Sequence, residues 1–170
     1  KLIDKGYKVA ICEQLTDPKD SRGMVERDVI QVITKGTRTD NVLNEKDNSY
    51  IGNIYDFDYC YGISYTDITT GYFYSLIVEH DQNKLVKEIV NRNIIEVIVN
   101  DKIDREIISV LRDNYHLLVT ITDNIYEQDD YDYLYKNITD IRLITTIKHL
   151  LNYVIENKKV KKTDDIVKYR

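Results

Sequence analysis

Partway along this chain the hydrophobic period changes, and the change dictates a fold class. Residues 50–55 read as a strand, and Tyr59-Cys60-Tyr61-Gly62-Ile63-Ser64-Tyr65-Thr66 alternates, placing Tyr59, Tyr61, Ile63 and Tyr65 on one face. Asp67-Ile68-Thr69-Thr70-Gly71 is a hairpin connection whose glycine can take positive φ, and Gly71 opens a third strand over 72–78. Three strands with short connections form an antiparallel meander. After Asp81, an N-cap by residue type, Leu85, Val86, Ile89 and Val90 recur at helical spacing up to Asn93.

The second half keeps switching period. Residues 96–99, beginning at Glu96, form a short strand. Asp104 caps a helix carrying Ile107, Ile108 and Leu111 and ending at Asn114, and 117–121 is a further strand. An acidic, tyrosine-rich stretch (Glu127, Asp129, Asp130, Asp132) precedes a longer helix with Ile144, Ile147, Leu151, Val154 and Ile155. Strands alternating with helices imply parallel crossovers. The order βββαβαβα therefore predicts an α/β, ribonuclease-H-like mixed sheet, an antiparallel meander followed by parallel βαβ units, with helices on both faces. It is preceded by a partial α+β domain.

That partial domain occupies residues 1–43. Lys1-Leu2-Ile3-Asp4-Lys5-Gly6 reads as the last turn of a helix, with lysines suited to its C-terminal dipole and a glycine stop. Val9-Ala10-Ile11-Cys12 is a short buried strand, Asp17-Pro18 turns the chain, and residues 29–34 form a second strand ending at Lys35-Gly36-Thr37. A helix end and two strands are too little core to stand alone, so the reading is the tail of a domain. The polar run Asn44-Glu45-Lys46-Asp47-Asn48-Ser49 marks the boundary to the unit over 44–157.

Charge narrows the function. Residues 1–43 carry a net of +1 and residues 158–170 a net of +4. Residues 44–157, with 10 Lys and Arg against 20 Asp and Glu, carry −10. Such a middle repels phosphate backbones on average and is not a direct DNA binder. The run Lys158-Lys159-Val160-Lys161-Lys162 reads as a solvated helix end or linker, the alternative being a phosphate-contacting patch. The 15 Tyr against 2 Phe could suggest base stacking, but they accompany abundant Ile, Asn and Lys, the bias of an A/T-rich genome. No apolar run approaches the roughly 20 residues that span a bilayer, and two distant cysteines fit a reduced, cytoplasmic protein.

Catalytic motifs are missing. Neither G-x-x-x-x-G-K-[ST] nor G-x-G-x-x-G occurs, and His80, His116 and His149 have no metal-ligand spacing to one another or to Cys12 and Cys60. Cys12 lies in an apolar strand, where its thiol would be inert. A nuclease of the ribonuclease-H type needs metal-binding carboxylates on the first and fourth strands. Here the first strand has none in its interior: Asp56 and Asp58 follow it, Glu96 opens the fourth strand, and Asp101 lies beyond its end. A metal-dependent nuclease and a stand-alone protein-binding module stay open as alternatives. No residue is assigned a catalytic, cofactor-binding, metal or DNA-binding role.

Three stretches nevertheless carry a resemblance: GYKVAICEQLTDP (Gly6 to Pro18), RGMVERDVIQVITKGT (Arg22 to Thr37) and YGISYTDITTGYF (Tyr61 to Phe73). In order and spacing the chain resembles the MutS family of DNA mismatch-repair proteins along almost its whole length. Lys35 stands where the family usually has proline, and Gln31 where many members carry arginine. The resemblance implies the end of a mismatch-binding domain at 1–43, a ribonuclease-H-like connector domain without nuclease activity at 44–157, and the start of a core (lever) domain at 158–170. It further implies that the full-length protein is a dimer that clamps mismatched duplex DNA and uses ATP and Mg, the connector relaying between these parts and docking MutL. The family's Phe-x-Glu element is absent, since Phe57 and Phe73 precede Asp58-Tyr59 and Tyr74-Ser75. This segment is therefore expected neither to probe a mispair nor to hydrolyse ATP.

Overall fold

The computed structural model describes Lys5 and residues 9–14, 27–33, 50–68, 70–158 and 168–169, with side chains for Lys5, 50–68 and 70–157. Strand β1 (Val9–Gln14) pairs antiparallel with β2 (Arg27–Ile33), Val9 opposite Ile33 and Gln14 opposite Arg27. Both strands expected in this part are therefore present. Apart from Lys5, the helix end at 1–6, with the turns at 17–18 and 35–37, the boundary at 44–49, the side chain of Cys12 and the basic run from Lys159 to Lys162, lies outside the described residues.

The larger sheet is built from β3 (Tyr50–Asp56), β4 (Cys60–Asp67), β5 (Tyr72–Glu79), β6 (Ile94–Val99), β7 (Leu118–Ile121) and the two-residue β8 (Lys168–Tyr169). Their spatial order is β7-β6-β3-β4-β5-β8. β3, β4 and β5 form the expected antiparallel meander, Ile54 opposite Ile63 and Ser64 opposite Ser75. On its other side β3 pairs parallel with β6, and β6 with β7. β3 is thus where the sheet changes sense. Gly71 takes φ 72° between β4 and β5, the left-handed conformation that hairpin requires. At the far edge β8 adds parallel to β5, a pairing that a two-residue strand leaves no periodicity to reveal.

Three helices cover this sheet. α1 (Gln82–Asn91) starts at Asp81, whose carboxylate accepts from the Lys84 amide at 3.0 Å. α2 (Arg105–Ser109) starts at Asp104, which accepts from the Glu106 amide at 2.8 Å, and widens into a π-helical turn over Val110–Asn114. α3 (Ile141–Lys158) is capped by Asp140, which accepts from the Arg142 amide at 2.9 Å. The Arg142 guanidinium closing on the same carboxylate holds its pKa down to about 2. Because neighbouring strand residues point to opposite faces, the apolar residues divide into two clusters. One joins Ile54, Tyr61, Ile63, Val97 and Val99 to Leu85 and Ile89 of α1 and Ile107 and Leu111 beyond. The other joins Ile51, Phe73 and Ile98 to Ile147, Leu150, Leu151 and Val154 of α3.

Two expectations need correction. Tyr59 does not share the face of Tyr61, Ile63 and Tyr65: it precedes β4 and is 65% exposed. Asp58 takes φ 71°, and the Phe57 amide donates to the Cys60 carbonyl at 3.0 Å, so a tight turn consumes Tyr59 before the strand begins. Glu96 is not the first residue of its strand, since β6 begins at Ile94, and its side chain is fully buried.

The β7 edge has a guard. The Thr122 amide donates inward to the Val99 carbonyl at 2.9 Å, so in this parallel ladder the backbone groups of Val119 face away from the sheet. Arg112, on the π-helical turn, reaches across and donates from Nη2 to that outward Val119 carbonyl at 2.9 Å.

Candidate functional site

The sequence points to two places where chemistry could gather: the acidic residues at the ends of β3 and β6, and the polar positions inside the strands. At the strand ends, Asp56 is the last residue of β3 and nearly buried. Its carboxylate accepts from the Asp58 amide at 2.7 Å and lies 3.1 Å from His80 Nε2. The half-exposed His80 ring stacks on Tyr61 with centroids 4.3 Å apart. Burial, and then the Asp56 charge, push the Tyr61 hydroxyl above its ordinary pKa. Asn100, the residue after β6, holds the backbone of Asp56, accepting from its amide at 2.8 Å and donating to its carbonyl at 3.1 Å. Asp58 is paired with Lys102 at 2.6 Å, and Asp123 accepts from the Asp101 amide at 2.9 Å.

These carboxylates do not converge. Asp56 shares the face of Ile54, towards α1, whereas Glu96 shares the face of Ile98, towards α3. Glu96 accepts there from the Tyr153 hydroxyl at 2.6 Å. The sheet itself separates the two residues that a strand-end metal site would combine. Among the described residues no three His, Cys, Asp or Glu side chains form a group that could hold a metal ion.

The second place is the α3 face of β3 and β4, and its members are polar and without exposed surface: Asn53, Ser64, Thr146 and His149. Asn53 Nδ2 donates to the Thr146 carbonyl at 3.1 Å and to His149 Nδ1 at 2.8 Å. Asn53 Oδ1 accepts from the Ser64 amide at 3.0 Å and the Ser64 hydroxyl at 2.6 Å. His149 Nε2 donates to the Thr122 carbonyl at 2.7 Å. With Nδ1 an acceptor and Nε2 a donor, the ring is neutral. Burial lowers its pKa, opposed by the Thr122 bond and the Asp123 charge. Tyr55 closes the group, its ring edge-on to the imidazole at 5.2 Å.

Such a network can fix geometry and hold a proton at Nε2, but its two hydroxyls, of Ser64 and Thr146, are fully buried and hydrogen-bonded within the fold, which leaves no open position for substrate. Its members were visible in the sequence only as an asparagine inside an apolar strand and an isolated histidine. Their partnership spans 96 residues and is a product of the packing of α3.

Comparison with known proteins bears on both halves of the chain. Residues 1–42 match the family model for MutS domain I. The chain is 34% identical over 160 residues to the DNA mismatch repair protein MutS of Oceanobacillus iheyensis, an alignment covering 93% of this chain and 18% of that protein. It is 33% identical over 168 residues to MutS of Clostridium tetani, with 94% and 19% covered. Over 135 residues it is 41% identical to MutS of Acetivibrio thermocellus, with 76% and 16% covered. The chain thus spans about a fifth of the length of the curated relatives it matches.

Proposed function

The chain belongs to the MutS family of DNA mismatch-repair proteins, and on that premise we propose that residues 44–157 are a connector that relays between DNA-binding and ATPase parts and docks MutL. In this reading residues 1–43 are the end of the mismatch-binding domain and residues 158–170 the start of the core domain. The connector adopts a ribonuclease-H-like fold without its catalysis. ATP and Mg belong to the ATPase domain of the full-length, dimeric, cytoplasmic protein, which clamps mismatched duplex DNA.

One observation carries the non-catalytic reading: Asp56 and Glu96 occupy opposite faces of the sheet, each bound to a structural partner. A module whose Asp56 and Glu96 carboxylates are engaged by its own turn, histidine and helix, and which carries −10 over residues 44–157, suits docking and transmission better than contact with phosphates. The mixed sheet, antiparallel on one side of β3 and parallel on the other, supports the fold assignment.

The test uses the 170-residue chain against immobilised MutL and, separately, a labelled duplex at physiological salt. Retention by MutL with no detectable duplex binding is the expected result. Duplex binding without affinity for MutL would sink the docking reading. Mg- or Mn-dependent cleavage abolished by Asp56→Asn or Asp101→Asn would replace it with a nuclease.

A further inference from the structure

We propose that buried polar ties lock α3 to the sheet in a single register, so that helix and sheet move as one body. Only the functional consequence of this lock rests on the relay reading. Apolar contact alone would not suffice, because hydrophobic burial is non-directional and a helix laid on Ile51, Phe73 and Ile98 could turn or slide with little loss. Hydrogen bonds at fixed distance and angle forbid that motion.

The ties are two, one helical turn apart. At His149 and Thr146 the helix is bound to Asn53 of β3, whose Oδ1 in turn accepts from Ser64 of β4, and through the Thr122 carbonyl to the segment after β7. At Tyr153, four residues on and on the same helix face, the hydroxyl donates to Glu96 of β6. Two points fix both the rotation and the axial position of a rod. Three strands and a loop are engaged, so no single strand can move with the helix alone. Gly62 lets the helix come close: a Cβ there would collide with the Thr146 hydroxyl and stand 3.0 Å from Phe57 Cε2.

Stability does not explain the choice of residues. A buried polar network is no more stabilising than apolar side chains of the same volume, and what it adds is a unique arrangement. α3 runs to Lys158, beyond which residues 159–170 continue the chain, while β3 sits at the centre of the sheet. A locked register makes a displacement at one of them a displacement of the other.

Hydrogen exchange on the full chain tests the lock. In wild type, amides of α3 and of β3 and β6 are expected to open together, at one protection level. Tyr153→Phe and Asn53→Ala should speed exchange in α3 by roughly tenfold while β3 and β6 keep theirs. Leu151→Ala, an apolar truncation on the same helix, should instead raise exchange in helix and sheet alike. Helix amides that already open independently in wild type, or a Tyr153→Phe chain that behaves like Leu151→Ala, would overturn the proposal. A second measurement separates lock from relay: mismatch-stimulated ATP hydrolysis by the full-length protein carrying Tyr153→Phe. If α3 is released but stimulation is unchanged, the lock stands and the relay through α3 fails.

Discussion

Asn53 differs from an aspartate by one amide group, and that group decides what β3 can be. As asparagine it donates twice and accepts twice with nothing left over. Asn53→Asp would turn two donors into a carboxylate oxygen facing the Thr146 carbonyl and His149 Nδ1. We expect a loss of about 2–3 kcal/mol at pH 7.5, measured by urea unfolding. The pH slope is diagnostic. In wild type, burial keeps His149 neutral, with its folded pKa below the ordinary value near 6.5. The unfolded chain therefore binds the extra proton first. The stability held by His149 is complete above about pH 6.5 and declines as pH falls from there towards the lowered folded value. In Asn53→Asp a proton on Nδ1 would bridge to the new carboxylate, so the contribution of this site should grow as pH falls through the same range. An identical slope in both proteins would show that the pair does not interact. The sequence marks Asn53 as polar in an apolar strand and shows that no acid stands there. It cannot show His149 beside it, because nothing local relates two residues on different elements.

Among the elements, periodicity was legible and close approach was not. The alternation over residues 50–78 and the helical spacing after Asp81 return β3, β4, β5, α1 and α3 with ends displaced by few residues, because each rests on local steric preference and a single buried face. Asp81 and Asp104 were readable as caps for the same reason. The π-helical turn after α2 was not, since one extra residue per turn leaves the apolar pattern of Ile107, Ile108 and Leu111 unchanged. Nor was the role of Gly62, which in the sequence is only an even-numbered member of an alternating strand. Gly62→Ala is expected to destabilise the chain by about 1–3 kcal/mol through overpacking against α3, as read by urea or thermal unfolding. A neutral result would mean that α3 can back away from β4, which the polar ties should prevent.

At the scale of the molecule, the described sheet pairs the start of one edge, Tyr72 and Phe73 of β5, with β8, and guards the other edge with a single arginine. An outward backbone carbonyl on a last strand invites pairing with another chain, and a charged side chain bound across it discourages that. Arg112→Ala should increase concentration-dependent self-association relative to wild type in sedimentation velocity. Equal behaviour would show that the edge is protected by other means. Family membership and the order of elements were legible at this scale, because the quoted stretches are specific and the period is long. The separation of Asp56 from Glu96 was not, since it depends on which face each strand turns to α3. That sheet is also a partition. No residue belongs to both apolar clusters, which lie on opposite sides of one layer of strands. Volume lost beneath α3 cannot be refilled from beneath α1, so each half must be repaired by its own neighbours. The unit can consequently accumulate substitutions along two nearly independent histories, one per face, coupled only through the backbone they share.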